Sequence, residues 1–527
     1  MERRSTAIQY DKNWKRIILR RRVLVITAVA IQLFFILAAA IGLHTLFRYV
    51  YWTLYAAGLV FGVRIINRHE KPPAYKITWI FLMLISPIAG GLLYLALYFQ
   101  TNQRKYRAII KEVLPKRVEA AFLPGDTLPE LRDQPSNEPG YLQARFLQTY
   151  AQFPLYKHTR CEYLPSGEAF WERAFEEMAK AEKYIFLEFF IVNPGYLLDQ
   201  LLIVLEKKVK KGVDVRLIYD DIGCFMSLPN DFPAQLRQKG IRCFVFNRLS
   251  PALSSIQNNR DHRKIISIDG KTAFTGGVNI GDEYINAYEK YGHWKDAGIM
   301  LNGEGAWGLT LIFLHMWNFE SERKKTRHDR YAAFYPWTTE PCLVPSDGFV
   351  LPYSENPIDG NNVGSQVYLQ IINTARKYVY INTPYLILDD SIRLALTLSA
   401  KTGVDVRIIT PHRPDKRAVH LITRSYYCNL IEAGVRIFEY TRGFNHSKTF
   451  VADDAVATVG TMNLDFRSLY LHFECGVWLY RAAAIRQIQD DFLATQAQCE
   501  EITPASCESS FLTRAVQDTL RIIAPLM

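Results

Sequence analysis

The sequence predicts an α/β protein, folded as a pseudo-twofold duplication of mixed, mostly parallel sheets flanked by helices, behind an N-terminal helical membrane segment. Three observations predict it. One polar motif occurs twice at matched spacing. The strand and helix signals around it recur in the same order. The first hundred residues carry long uncharged runs that the remainder lacks.

The chain of 527 residues is too long for one ordinary domain. Its net charge of +11 implies an anionic partner, either lipid headgroups or nucleic acid. Residues 1–22 contain eight Lys and Arg. Val23–Leu43 is uncharged, broken only by Gln32, and long enough to span a bilayer as a helix. A cleaved signal peptide is the alternative, but two further apolar runs follow. Tyr49–Val63, between Arg48 and Arg64, is short for a span. Ile77–Phe99 is long enough, and Trp79, Tyr94 and Tyr98 suit interfacial anchors. Pro87 and Gly90-Gly91 interrupt its middle and predict a kink or a re-entrant hairpin. Basic clusters at 1–22, 64–76 and 104–117 all favour the cytoplasmic side. A hairpin that dips in and returns satisfies all three and leaves the body cytoplasmic. Residues 1–104 therefore read as a basic tail with transmembrane or re-entrant helices. Residues 105–157 hold Pro124-Gly125, Pro129, Pro135 and Pro139-Gly140 and read as a linker.

The body divides into halves at 158–340 and 341–527. Ala181–Glu188 parallels Ala375–Asn382, Lys211–Ile218 parallels Thr402–Ile409, and Lys239–Arg242 parallels Ala433–Arg436. Each half reads strand, helix, strand, helix, strand, then the motif strand. The helices fall at Asp199–Lys211 and Asp390–Lys401, then near Phe232–Lys239 and Val419–Ala433. A Pro-, Gly- and Asn-rich stretch from about Pro341 to Asn362 joins the halves. Gly240 lies 22 positions before His262, whereas Gly434 lies 12 before His446. The extra residues, around Leu249–Ile256, form a mildly apolar loop suited to a lid, or an inert insertion. Eight scattered cysteines without a CxxC pair read as reduced and structural. Ala482–Gln498 and Ser510–Pro525 read as amphipathic helices packed on the body or touching lipid.

The motif is His262, Lys264, Asp269, Gly276 and Asn279, repeated as His446, Lys448, Asp453, Gly460 and Asn463. Alternate strand positions share a face, so His and Lys point together. Two copies meeting would form a basic pocket with two imidazoles, two ammoniums and two amides. That set suits displacement at a phosphodiester. One imidazole attacks phosphorus, and the other protonates the leaving oxygen. The lysines and asparagines stabilise charge on the non-bridging oxygens, so no metal or cofactor is needed. Arg467 suits a phosphate or an ion pair equally. Glu188 ends a strand and either faces the pocket or is structural.

HxKxxxxD with GG/GTxN, twice, resembles the phospholipase D superfamily over roughly residues 158–500. The stretch Tyr75–Tyr94 resembles the membrane anchor of bacterial cardiolipin synthases. The resemblance implies a duplicated phospholipase D fold with His262, Lys264, Asp269, His446, Lys448 and Asp453 catalytic. It implies His262 as nucleophile, although the pseudo-symmetry allows the reverse. It also implies that Glu474 orients His446 and Asp296 orients His262, with the motif acids then mainly bracing. Asn279, Asn463, Glu188, Asp296, Glu474 and Arg467 are the further site candidates. Thr383–Leu386 resembles the substrate-side loop of that family. The implied activity is membrane-bound transfer of a phosphatidyl group from one phosphatidylglycerol to another, with anionic lipid as partner and no nucleic acid. Another phosphatidyltransferase, a hydrolase using water, a membrane-tethered nuclease and a non-catalytic lipid binder stay open.

Overall fold

The computed structural model describes residues 45–67, 73–85, 102–133, 138–249, 255–507 and 510–526, with isolated positions before residue 101. The first half supplies β1 (Thr159–Leu164), β2 (Tyr184–Phe189), β3 (Asp214–Asp220), β4 (Arg242–Phe246), β5 (Lys264–Ile268), β6 (Thr272–Gly276), β7 (His293–Lys295) and β8 (Gly298–Gly303). The second supplies β9 (Phe349–Glu355), β10 (Tyr378–Asn382), β11 (Asp405–Pro411), β12 (Arg436–Tyr440), β13 (Gly443–Asn445), β14 (Thr449–Ala452), β15 (Val456–Gly460), β16 (Glu474–Tyr480) and β17 (Cys499–Glu501).

The duplication is visible in the strand orders. One sheet runs β1-β8-β6-β5-β2-β3-β4, the other β17-β12-β11-β10-β14-β15-β16-β9. The sheets are mixed as expected but not mostly parallel. Within these two sheets only β2-β3-β4 and β10-β11-β12 pair in parallel. Helices Tyr196–Lys210 and Phe232–Gln238, or Asp390–Lys401 with Arg417–Ser425 and Tyr427–Glu432, make those crossovers. The motif strands then turn straight back, β5 into β6 and β14 into β15, so these pairings are antiparallel. At the first turn Asp269 (φ 52°) and Gly270 (φ 67°) are both left-handed. Both motif strands are buried at every position because each is flanked on both edges and covered on both faces.

Two segments expected to be connectors are structured. The helix Asn102–Ala121 packs on the long buried helix Glu304–Arg323 and buries Ile110, Val113, Ala120 and Ala121. Trp307 donates its indole N–H to the Ala120 carbonyl at 3.0 Å. The stretch joining the halves contains β9, which pairs with β16. Its proline, Pro352, sits on the outermost strand, where a missing N–H costs no ladder bond.

Among the described residues no helix is long and apolar enough to cross a membrane. Of the described helices, Thr45–Ile66 and Pro73–Ile85 lie in the N-terminal region. Apart from isolated positions, the expected span Val23–Leu43 lies outside the described residues, as do Pro87 and most of the lid loop before Ser255. Gly90 sits against the Leu82 carbonyl, where a Cβ would come within 2.8 Å. The Tyr94 ring lies 5.4 Å from Trp79. Positions 90 and 94 thus stack back onto the helix that precedes them.

The cysteines are not all reduced. Cys428 and Cys507 form a disulfide across 79 residues, because the helix Pro504–Cys507 packs against Tyr427–Glu432. Sequence gave no sign of it, since the pairing is made by tertiary packing. A thiol titration of denatured, unreduced protein is expected to find six free thiols, rising to eight after reduction. Cys428→Ser should lower unfolding stability by up to about 4 kcal/mol for a loop of this length.

Candidate active site

Each motif histidine is placed by the opposite half. The His262 amide donates to the Phe473 carbonyl at 2.9 Å, and the Phe473 amide donates to Arg260 at 2.8 Å. On the other side β13 pairs in parallel with β7, Asn445 opposite Lys295, and the His446 amide donates to the Lys295 carbonyl. These backbone bonds stitch each motif to the residue just before the other half's carboxylate. The side chains follow. His262 Nδ1 lies 2.9 and 3.0 Å from the two Glu474 oxygens. His446 Nδ1 lies 2.7 Å from Asp296 Oδ2. The pairing is therefore the reverse of that expected. Glu474 orients His262 and Asp296 orients His446, because the strands exchange partners across the pseudo-twofold axis.

A carboxylate on Nδ1 fixes the tautomer that leaves Nε2 to meet a reacting group. Among the described residues neither Nε2 bonds to protein. Each carboxylate has a second donor. Thr461 gives its hydroxyl to Glu474, and Trp294 its indole N–H to Asp296 at 3.3 Å. Gly277, which stands where Thr461 stands in the other half, is required. A Cβ there would fall 2.0 Å from Asp296 Oδ1. The GG/GT difference in the motif is thus a difference in how the carboxylate is held.

Lys264 and Lys448 are buried, and each ammonium donates to the carbonyl of its own histidine. Burial pushes Lys264 down to about 8 and Lys448 to about 7, against the pull of Glu474 and Asp296. Burial also drives both imidazoles toward the neutral form, His446 to about 4 and His262 well below its usual value; the lysine charges add to this. Burial alone would raise the Asp296 carboxyl, but the charge and hydrogen bond of His446 outweigh it and hold it low.

The remaining candidates divide. Asp269 and Asp453 are not at the site. Asp269 accepts from the amides of Glu182, Lys183 and Tyr184 at 2.7–2.8 Å, and Asp453 from Arg376, Lys377 and Tyr378 at 2.6–2.9 Å. Each lies five positions along the chain from its lysine, with four strand residues between, on the order of 16 Å. They anchor the start of β2 and β10. Asp269→Ala is expected to cost about 1–3 kcal/mol in a denaturant titration, with turnover per folded molecule retained. Glu188 does not face the lysine. It pairs opposite Ile265 in the ladder, and its carboxylate meets Arg263 at 2.7 Å. Asn279 is used internally, accepting from the Ile191 amide and donating to the Tyr284 hydroxyl, both at 3.0 Å. Asn463, by contrast, is buried with Oδ1 lacking a protein partner, and the half-buried Arg467 has a buried Nε in the same condition. Both remain suited to a ligand.

Several neighbours were not singled out by sequence. The Phe190 ring lies 4.8 Å from His262, and Trp294 lies 5.2 Å from His446. Tyr385, in the expected substrate-side loop, reaches Phe444 and donates its hydroxyl to Asp415 at 2.6 Å. A lone aromatic has no spacing signature, so only the motif register hinted at Trp294.

Two histidines, two lysines and two crossed carboxylates at the seam of a duplicated α/β fold define a phosphodiester-transfer site of the phospholipase D type. The family model described as "Cardiolipin synthase, PLD-like domain" matches residues 175–291 and 368–495. A cardiolipin synthase of Geobacillus kaustophilus is 34% identical over 90% of this chain and 93% of its own. An uncharacterised protein of Streptococcus mutans is 40% identical over 86% of this chain and 96% of its own. The crystal structure of a phosphatidylserine synthase from Haemophilus influenzae, 16% identical, superposes with a TM-score of 0.55 over 73% of this chain and 97% of that one, which shows the shared fold. The chain belongs to the cardiolipin synthase family, phosphatidyltransferases of the phospholipase D superfamily.

Proposed function

We propose that the protein joins two phosphatidylglycerols at a membrane, giving cardiolipin and glycerol. The observation that carries this is the pair of crossed imidazole–carboxylate contacts, which equips both histidines to act through Nε2. His262, held neutral by burial and by the charges of Lys264 and Lys448, attacks phosphorus. The P–O bond to glycerol breaks, and His446 gives that oxygen a proton. The arriving phosphodiester anion and ionised Asp296 favour the imidazolium that this step needs. A second phosphatidylglycerol then offers its terminal hydroxyl, and His446 takes the proton back. The new P–O bond forms as the bond to His262 breaks, so atoms and charge balance. Lys264 and Lys448 face the non-bridging oxygens, while the unpaired Oδ1 of Asn463 suits a substrate hydroxyl. Water must be kept out of the intermediate stage, or phosphatidic acid results.

Purified protein given phosphatidylglycerol alone is expected to release one glycerol per cardiolipin. Phosphatidic acid as the main lipid product would instead make it a hydrolase. Because a lysine loses its charge as pH rises through its pKa, kcat/KM should fall on the alkaline side from about pH 7 to 8. A flat profile to pH 9 would show that the lysine charges do not support the reaction.

A further inference from the structure

The C-terminal helix Phe511–Ile523 rests on the core through the partly buried Leu520 but leaves a run of apolar side chains exposed. Its one buried residue is polar: Gln517, whose amide donates to the Leu421 carbonyl at 3.2 Å. Its outward face carries Phe511, Leu512 and Val516, which are 84, 76 and 50% exposed. With exposed Ala515 and Thr519 they follow one side of the helix. Capping by Ser510, which accepts from the Thr513 amide, shows that the helix begins there and presents this face as a unit.

Its neighbours connect it to two other features. Thr78, on the helix Pro73–Ile85, donates its hydroxyl to the Ile522 carbonyl at 2.6 Å. That N-terminal helix itself exposes Ile77, Leu84 and Ile85. On the other flank, Arg521 lies over the Tyr426 ring at 4.5 Å, and the helix packs along Arg417–Ser425. Lys416, immediately before that helix, lies 5.5 Å from the Tyr385 ring, which touches Phe444, which in turn stacks 5.9 Å from His446. The disulfide from Cys428 to Cys507 fastens the chain just ahead of the helix. An outward apolar strip, the N-terminal helical unit and the wall of the active site are thus linked by direct contacts. Exposed Lys416 and Arg417 begin the helix that it packs along, and the strip's own helix carries exposed Arg514 and Asp518, a net positive charge that suits anionic headgroups.

We propose that the Phe511–Ile523 helix lies in the interfacial layer of an anionic bilayer and sets the active-site mouth against it, so that lipid reaches the histidines without crossing water. The proposal rests on the phosphatidyl-transfer reading for its substrate. Its surface is bilayer lipid and not a second copy of the chain, because the same helix contacts Pro73–Ile85, which leaves Ile77, Leu84 and Ile85 exposed, and lies beside the cationic Lys416 and Arg417.

The test compares wild type with Phe511→Ser/Leu512→Ser/Val516→Ser in the full chain. On vesicles of phosphatidylglycerol and phosphatidylcholine, the triple variant should form cardiolipin at least tenfold more slowly. On short-chain phosphatidylglycerol below its micelle concentration, it should keep turnover within twofold of wild type. An unchanged vesicle rate overturns the proposal, as does an equal loss on both substrates, which would make the helix a support of the fold. A shift from dimer to monomer in detergent, with vesicle rate retained, also overturns it in favour of self-association. A second measurement is independent of activity. Phe511→Trp should add fluorescence that is quenched by brominated lipid at the interfacial depth; no added quenching overturns the proposal. If wild type makes no cardiolipin on either substrate, it is the transfer reading that fails, while the quenching still decides the position of the helix.

Discussion

His262→Ala and His446→Ala should each abolish steady-state turnover, by at least about 10³-fold, since residues that act as a unit are lost together. The informative experiment is the one that separates them. With a p-nitrophenyl ester of phosphatidic acid in place of phosphatidylglycerol, the leaving group needs no proton. A His446→Ala enzyme should then still release a first-turnover burst of nitrophenol, because attack by His262 is intact. It should stall afterwards, since nothing deprotonates the acceptor. A His262→Ala enzyme should give no burst. In the stalled variant the lipid label should remain on protein, stable to base and released by acid, as a phosphoramidate behaves. A burst from His262→Ala and none from His446→Ala would reverse the roles, which the pseudo-twofold arrangement of the sheets permits in principle.

Much of this arrangement is legible in the sequence. The duplication, the strand–helix order and the His-Lys pairs follow from period and spacing, which local backbone geometry enforces. What was missed is what spacing does not encode. Strands β5 and β14 run antiparallel to both neighbours, and each passes to the next strand through a three-residue turn rather than a crossover, so the sheets are more antiparallel than expected. Glu188 lies on β2 and Arg263 immediately precedes the neighbouring β5, and only the register of those strands brings the two together. The disulfide joins positions 79 residues apart. The acids Asp269 and Asp453 share the motif with the histidines, yet they serve the opposite end of the strand. A repeated acid records a repeated turn as readily as repeated chemistry.

The exchange of carboxylates is the part of the site that sequence could not assign, and it makes the second large prediction. Glu474→Gln and Asp296→Asn preserve shape but remove the charge that fixes the Nδ1–H tautomer. Each should lower turnover of phosphatidylglycerol by about 10³- to 10⁴-fold, the size seen when an orienting acid of a triad is neutralised. On the p-nitrophenyl ester their first-turnover bursts should differ. Asp296→Asn disables the acid–base histidine His446 and should be rescued, as His446→Ala is. Glu474→Gln disables the nucleophile His262 and should not be. Were each acid to serve the histidine of its own half, the two variants would exchange behaviour. The comparison therefore reads the crossed contact directly. It also shows why neither half is expected to work alone: the nucleophile lies in one half and the group that orients it in the other. The backbone bonds from His262 to Phe473 and from His446 to Lys295 hold the two halves in that register. Separating them would remove the orientation of both imidazoles at once.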